Sequence, residues 1–192
     1  MKEGGTRRLI ARLLRRTLQR GATVEIDGLG SLVPEASGFR FVPQTKPRIF
    51  IAYVEEDLGH AIRLFDAFTR ARFDPWLDKK KLLPGQNWPR SIETAIRSSD
   101  FFVPCFSHRS VFKRGSFHSE LRFALESASR VPLDEIFLIP VRIDECAVPA
   151  RITRHTQYVD LFPKWDQGFE RVLEAMREQR QKRHEKRLLL AG

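Results

Sequence analysis

No run of residues in this chain approaches the roughly 18 apolar positions a membrane-spanning helix needs, so no membrane segment is expected. The first twenty residues carry an arginine every few positions and have no apolar core, which argues against a secretory leader. Cysteine is scarce. Cys105 and Cys146 each sit inside or beside an apolar run, which excludes a disulfide scaffold and makes reduced, buried thiols the default. No Cys/His cluster has zinc spacing, no GxGxxG follows a strand-like run, and there is no Walker lysine loop. The five histidines are scattered and define no triad. A phospho-accepting receiver domain would need an aspartate at its third strand end. Glu55-Glu56-Asp57 imitates the acidic pair of such a site, but the third apolar run ends Pro104-Cys105-Phe106-Ser107. What remains is a protein of the cytoplasm without a metal or resident cofactor.

What is present is an ordinary globular balance: 192 residues, 42% hydrophobic and 30% charged, enough for one average domain with a small appendage. The net charge of +10 is uneven. Residues 1–46 hold nine basic residues against four acids, and residues 171–192 hold seven against three, so the centre is nearly neutral. Basic ends can meet nucleic acid or acidic headgroups, or serve as solvated helix faces.

Three zones follow. In the first, Leu9, Leu13 and Leu14 fall at helical spacing up to Arg20 and stop at Gly21. Short strands are then expected at Thr23–Ile26, Ser31–Val33 and Phe39–Val42, joined by glycine turns. Pro43–Pro47 reads as a linker. Beyond it, apolar strands at Ile49–Tyr53, Asp74–Leu77, Phe101–Phe106, Ile136–Val141 and Tyr158–Leu161 alternate with amphipathic helices. Those helices are expected at Leu58–Arg72, Trp88–Ser98, Glu120–Arg130 and Gln167–Lys186. Near-continuous apolar strands imply a sheet covered on both faces. The expected architecture is α/β, a flavodoxin-like, doubly wound, five-stranded parallel sheet with a small N-terminal helix and β-hairpin appendage. Residues 1–46, 47–175 and 176–192 are the expected divisions, the last a basic helical extension.

Two resemblances add to this reading. Arg20–Leu32 followed by Phe39–Pro43 resembles part of the HU/IHF-type DNA-binding fold, with the first helix missing and the arm reduced to Pro34–Gly38. In that family the hairpin belongs to a dimerising body, which implies dimerisation or docking here. The middle zone resembles a TIR domain of the bacterial type over about residues 47–175. The motifs, in order, are Arg48–Asp57, Phe73–Asp78, Leu82–Trp88, Ile92–Asp100, Gly115–Leu121 and Gln157–Phe162.

The family contains adaptors that signal by self-association and enzymes that cleave NAD+. For the enzymatic class the resemblance implies one essential glutamate, which falls on Glu120. A single carboxylate can suffice because nicotinamide leaves as a neutral ring and needs no general acid. The carboxylate stabilises the oxocarbenium-like sugar, traps it covalently, or anchors its hydroxyls. Glu120 is expected to open the helix after the third strand, at the sheet edge where such folds bind ligands. Phe50, Ala52 and Tyr53 end the first strand on that edge. Phe50, Tyr53 and Trp76 are candidates for packing near the substrate rings, with Phe117 as the aromatic nearest the glutamate. Lys79, Lys80, Arg109 and Arg114 are candidates for the pyrophosphate. Asp78 is a loop-orienting acid, and Leu83 lies in a lid at Leu82–Trp88. Two positions depart from the enzymatic pattern: Ser116 where an aromatic is common, and Ala52 where serine is frequent.

The implied activity is therefore an NAD+ hydrolase, activated by self-association, giving nicotinamide and ADP-ribose or a cyclic ADP-ribose, in signalling or bacterial defence. A non-catalytic interaction module is the alternative. A third reading couples nucleic-acid sensing by the basic N-terminal segment to the TIR centre. A nucleoside transferase of similar topology is a more distant fourth.

Overall fold

Apolar runs of five and six residues, too short for a buried helix and rich in Ile, Phe and Val, become the central strands of this protein. The computed structural model describes residues 11–12, 14–26, 29–43, 45–112, 116–128 and 135–191. The chain divides into two compact units, Met1–Lys46 and Pro47–Gly192.

In the first unit residues 11–12 and 14–19 are helical (α1) and the chain turns at Gly21, whose φ of +77° suits glycine. Three antiparallel strands follow, β1 (Val24–Ile26), β2 (Gly30–Glu35) and β3 (Gly38–Pro43), in the order β1-β2-β3. The β2–β3 ladder is longer than the apolar pattern implies. It runs from Gly30 opposite Pro43 to Glu35 opposite Gly38, so Pro34 and Gly38 lie inside strands and the turn is two residues. Leu32 lies opposite Phe41 and Pro34 opposite Phe39, which puts these apolar residues on one face.

In the second unit β4 (Arg48–Ala52), β5 (Asp74–Trp76), β6 (Phe101–Phe106), β7 (Val141–Arg142) and β8 (Val159–Asp160) form one parallel sheet in the order β5-β4-β6-β7-β8. Alternation along β4 and β6 sends Ile49, Ile51, Phe101 and Val103 to one face and Phe50, Ala52 and Phe102 to the other. The first face is covered by α2 (Leu58–Arg70) and α8 (Trp165–Ala191), through Leu64, Phe68, Val172 and Met176. The second is covered by α4 (Trp88–Arg97) and α6 (Ser116–Ala128), through Ile92, Ile96, Leu121 and Ala124. This is the doubly wound α/β sheet expected from the sequence.

Boundaries differ where backbone chemistry intervenes. The fourth strand shrinks from Ile136–Val141 to β7, with an isolated bridge between Phe102 and Leu138. Pro140 has no N–H to donate and interrupts the ladder between them. The fifth strand narrows to β8. The third-strand helix starts at Ser116, a full turn before Glu120, and is preceded by the short α5 (His108–Phe112). The last helix begins at Trp165 and runs unbroken past residue 175. Gly168 lets it approach the sheet. A Cβ there would lie 2.1 Å from the Asp160 carbonyl oxygen. Cys105 is buried and Cys146 half-buried, both free thiols.

Candidate active site

The C-terminal ends of β4 and β5 deliver side chains to the same edge. β4 leads through Tyr53 and Val54 into a 3-10 turn, Glu55–Asp57. β5 leads into the four-residue helix α3 (Asp78–Lys81) and then the 82–87 loop. A cavity of about 170 Å³ opens there, lined by Phe50, Ile51, Tyr53, Glu55, Trp76, Asp78, Lys79, Trp88 and Glu120. A second, of about 430 Å³, lies between α4 and α6. Its wall is Trp88, Pro89, Ile92, Glu93, Ile96, Ser119, Glu120 and Phe123. Glu120 and Trp88 border both.

Phe50 stacks on Trp76 at 4.7 Å between ring centroids and on Phe102 at 5.4 Å. Tyr53 Oη donates to Asp78 Oδ1 at 2.6 Å, and the Lys79 backbone N–H donates to the same oxygen at 2.7 Å. The carboxylate of Asp78 is thus held at the start of α3. Burial, and next the bond to Asp78, push the Tyr53 hydroxyl up, so it stays a donor. Burial, and secondly the negative charge of Asp78, push the Glu120 carboxyl from 4.5 up to about 8. Near neutrality Glu120 therefore favours its protonated form, which can donate a hydrogen bond or ionise beside a cation.

The three lysines of α3 point to three different acids. Lys79 Nζ lies 3.3 Å from Glu55, Lys80 Nζ 3.1 Å from Asp66 on α2, and Lys81 Nζ 3.4 Å from Asp74 on β5. Asn87 caps α4 by accepting from the Arg90 N–H. Beside the cavity, buried Asp57 accepts from Ser107 Oγ at 2.5 Å and pairs with Arg109 at 3.4 Å. His108 Nδ1 meets an oxygen of Asp144. Asp100 Oδ2 accepts from the Arg48 N–H at 2.8 Å, tying the start of β4 to that of β6.

Of the residues singled out from sequence, Phe50, Tyr53, Trp76, Asp78, Lys79 and Glu120 meet around one cavity. Ala52 and Phe117 do not; they are fully buried core residues, and Phe117 packs edge-to-face on Phe106 at 5.7 Å. Both belong to the core between the sheet and the α4–α6 layer, while Glu120 reaches the cavities. Leu83 is 65% exposed and lines neither cavity. Lys80 and Arg109 are directed to Asp66 and Asp57 instead. Arg114 lies outside the described residues. Glu55 and the α4–α6 wall were missed, and Trp88 was read only as the end of the Leu82–Trp88 lid. A tryptophan three residues beyond the Pro84-Gly85 turn was the available signal for Trp88.

A TIR-domain family model matches residues 49–173. Among solved structures, the TIR domain of the Toll-related receptor TRR-2 from Hydra magnipapillata superposes with a TM-score of 0.52 at 22% identity, over 66% of this chain and 97% of that one. A metazoan TIR-STING receptor from C. gigas, in complex with 2',3'-cGAMP, gives 0.52 at 20% identity, over 64% of this chain and 38% of the receptor. A prokaryotic SEFIR domain gives 0.51 at 12% identity, over 68% and 92%. These likenesses concern the fold. No curated protein sequence matches the chain.

Proposed function

The chain belongs to the TIR-domain family, and from that premise we propose that it is an NAD+ hydrolase in which Glu120 acts on the bond between nicotinamide and ribose. The observation that carries the reading is the setting of Glu120: a half-buried carboxyl, raised to about 8, between two cavities walled by Phe50, Trp76 and Trp88. In the reaction, the C1′–N bond breaks and its electron pair returns to the pyridinium, leaving neutral nicotinamide and a sugar cation. The pyridinium of bound NAD+ draws Glu120 toward its ionised form, because an opposite charge nearby favours the carboxylate. That carboxylate then stabilises the oxocarbenium-like sugar electrostatically. Water attack gives ADP-ribose and releases a proton; attack by the adenine of the same molecule gives a cyclic product. Asp78, fixed by Tyr53 and the Lys79 N–H, keeps an oxygen to accept from ribose hydroxyls.

The 170 Å³ cavity is smaller than the roughly 300–1,000 Å³ of ordinary small-molecule sites. Activation by self-association, in which a neighbouring protomer completes the site, is part of the same proposal. A role in signalling or bacterial defence, in the cytoplasm, belongs to the same proposal. The N-terminal segment is proposed as an HU-like dimerising or nucleic-acid-binding piece. The second reading, a non-catalytic adaptor, is favoured by the buried Ala52 and by Ser116 in place of an aromatic.

The test is nicotinamide release from NAD+ at low and high protein concentration, resolved by chromatography, for the wild type and Glu120→Gln. Release that rises more steeply than protein concentration and falls ~10²-fold or more in the variant supports the hydrolase. Equal turnover by the two proteins dismisses the role of Glu120, and no release at any concentration favours the adaptor.

A further inference from the structure

Trp76, which borders the smaller of Glu120's cavities, also borders a cleft of about 530 Å³ between the edge strand β5 and α4. We propose that this cleft is a second ligand site, one that takes a nucleoside monophosphate.

Charge is the first argument. Arg48, Lys81 and Arg90 line the cleft, with Asp74 as the one acid among its lining residues. Asp74 is shared at long range, 3.6 Å from Arg48 Nε and 3.4 Å from Lys81 Nζ. The guanidinium of Arg90 has no ion-pair partner among the described residues. Asp100 is occupied by the Arg48 N–H at 2.8 Å and by Arg183 at 3.5 Å. Glu93 lines the other side of α4. An excess of positive charge is left in a concave site, the setting in which Arg and Lys bind phosphate.

Donor chemistry is the second. The Gln86 side-chain oxygen accepts from the Leu83 N–H, and that of Asn87 accepts from the Arg90 N–H. Each amide is oriented by that bond and keeps its NH₂ group as a donor at the cleft. The third is the aromatic wall. Phe50 covers one face of the Trp76 indole, and the half-buried ring also lines the cleft, where a flat base can stack. A phosphate alone would leave most of the volume unused, whereas a base, sugar and single phosphate match the size of ordinary small-molecule sites. Glu120 does not line this cleft, so the proposal stands whether or not NAD+ is cleaved.

Titration calorimetry with AMP, adenosine and inorganic phosphate tests it on the full chain. The proteins are the wild type, Arg90→Glu, Arg177→Glu and Glu120→Gln. Arg177 is an exposed α8 residue paired with Glu170, so its variant controls for general charge reversal. Arg90 lies in the first turn of α4, where an acid is compatible with the helix dipole, so Arg90→Glu should fold. The expected result is one AMP per chain in the wild type, in Glu120→Gln and, within about twofold, in Arg177→Glu. Arg90→Glu should weaken binding about tenfold or more, the effect of removing one charged hydrogen bond. Adenosine and phosphate should each bind at least about tenfold more weakly than AMP. Absence of AMP binding overturns the proposal, as does equal weakening by Arg177→Glu or loss in Glu120→Gln. Phosphate binding as tightly as AMP refutes the nucleoside component, and adenosine doing so refutes the phosphate one.

Discussion

Glu120→Gln is expected to be neutral for stability in mild acid and stabilising in alkali. The folded protein holds the Glu120 carboxyl at about 8, against 4.5 for an unperturbed group. At 1.36 kcal/mol per pH unit that gap corresponds to roughly 5 kcal/mol. Glu120 is half-buried, and water at its carboxyl discounts the figure to roughly 2 kcal/mol. The sign follows from proton binding. Between pH 4.5 and 8 the folded state keeps a proton that the unfolded chain has released, so stability falls as pH rises. The contribution is complete below pH 4.5 and lost as pH climbs through 8. Glutamine mimics the protonated acid and carries no such dependence. Urea unfolding followed by tryptophan fluorescence reads the effect, since Trp76, Trp88 and Trp165 all lie in the Pro47–Gly192 unit. At pH 5 the two proteins should agree within about 0.5 kcal/mol; at pH 9 the variant should be more stable by roughly 2 kcal/mol. Stability curves that run parallel from pH 5 to pH 9 would refute the burial argument for Glu120, and with it the electrostatic reason for singling it out.

Asp78→Asn should shift the pH profile of kcat/KM for NAD+ toward acid, by less than burial contributes, because it removes a carboxylate that opposes ionisation of Glu120 while keeping an acceptor for Tyr53. An unmoved profile would show that Asp78 does not act on Glu120. Gly168→Ala should cost about 3 kcal/mol in thermal or urea unfolding, since its Cβ would meet the Asp160 carbonyl oxygen at 2.1 Å and backbone must shift. Wild-type stability would mean that α8 approaches the sheet less closely. Phe102→Ala should cost about 3–5 kcal/mol by the same assay, because Phe102 is fully buried in β6 and stacked against Phe50 and Phe137.

The candidate site was legible in part, for reasons that differ residue by residue. Glu120, Asp78 and Phe50 could be singled out because ordered motifs carry a family pattern, and a parallel sheet brings strand ends to one edge. Phe117 and Ala52 went the other way. Whether a residue beside a site faces it or the core depends on how the elements pack, and here both are buried between the sheet and the α4–α6 layer. Lys79 and Lys80 of α3 were singled out as anion ligands in sequence. Glu55, 24 residues from Lys79, and Asp66, 14 residues from Lys80, pair with them in the fold.

The α/β class and the pairing of strands with helices were determined by the sequence alone, because apolar periodicity and length are local properties written along the chain. Tertiary structure decided the rest. It shortened the fourth strand around Pro140, brought Trp88 at the start of α4 up to Glu120, and opened two cavities that Glu120 borders. It also raised the Glu120 carboxyl, since burial and the nearness of Asp78 exist only once β4, β5 and α6 meet in space.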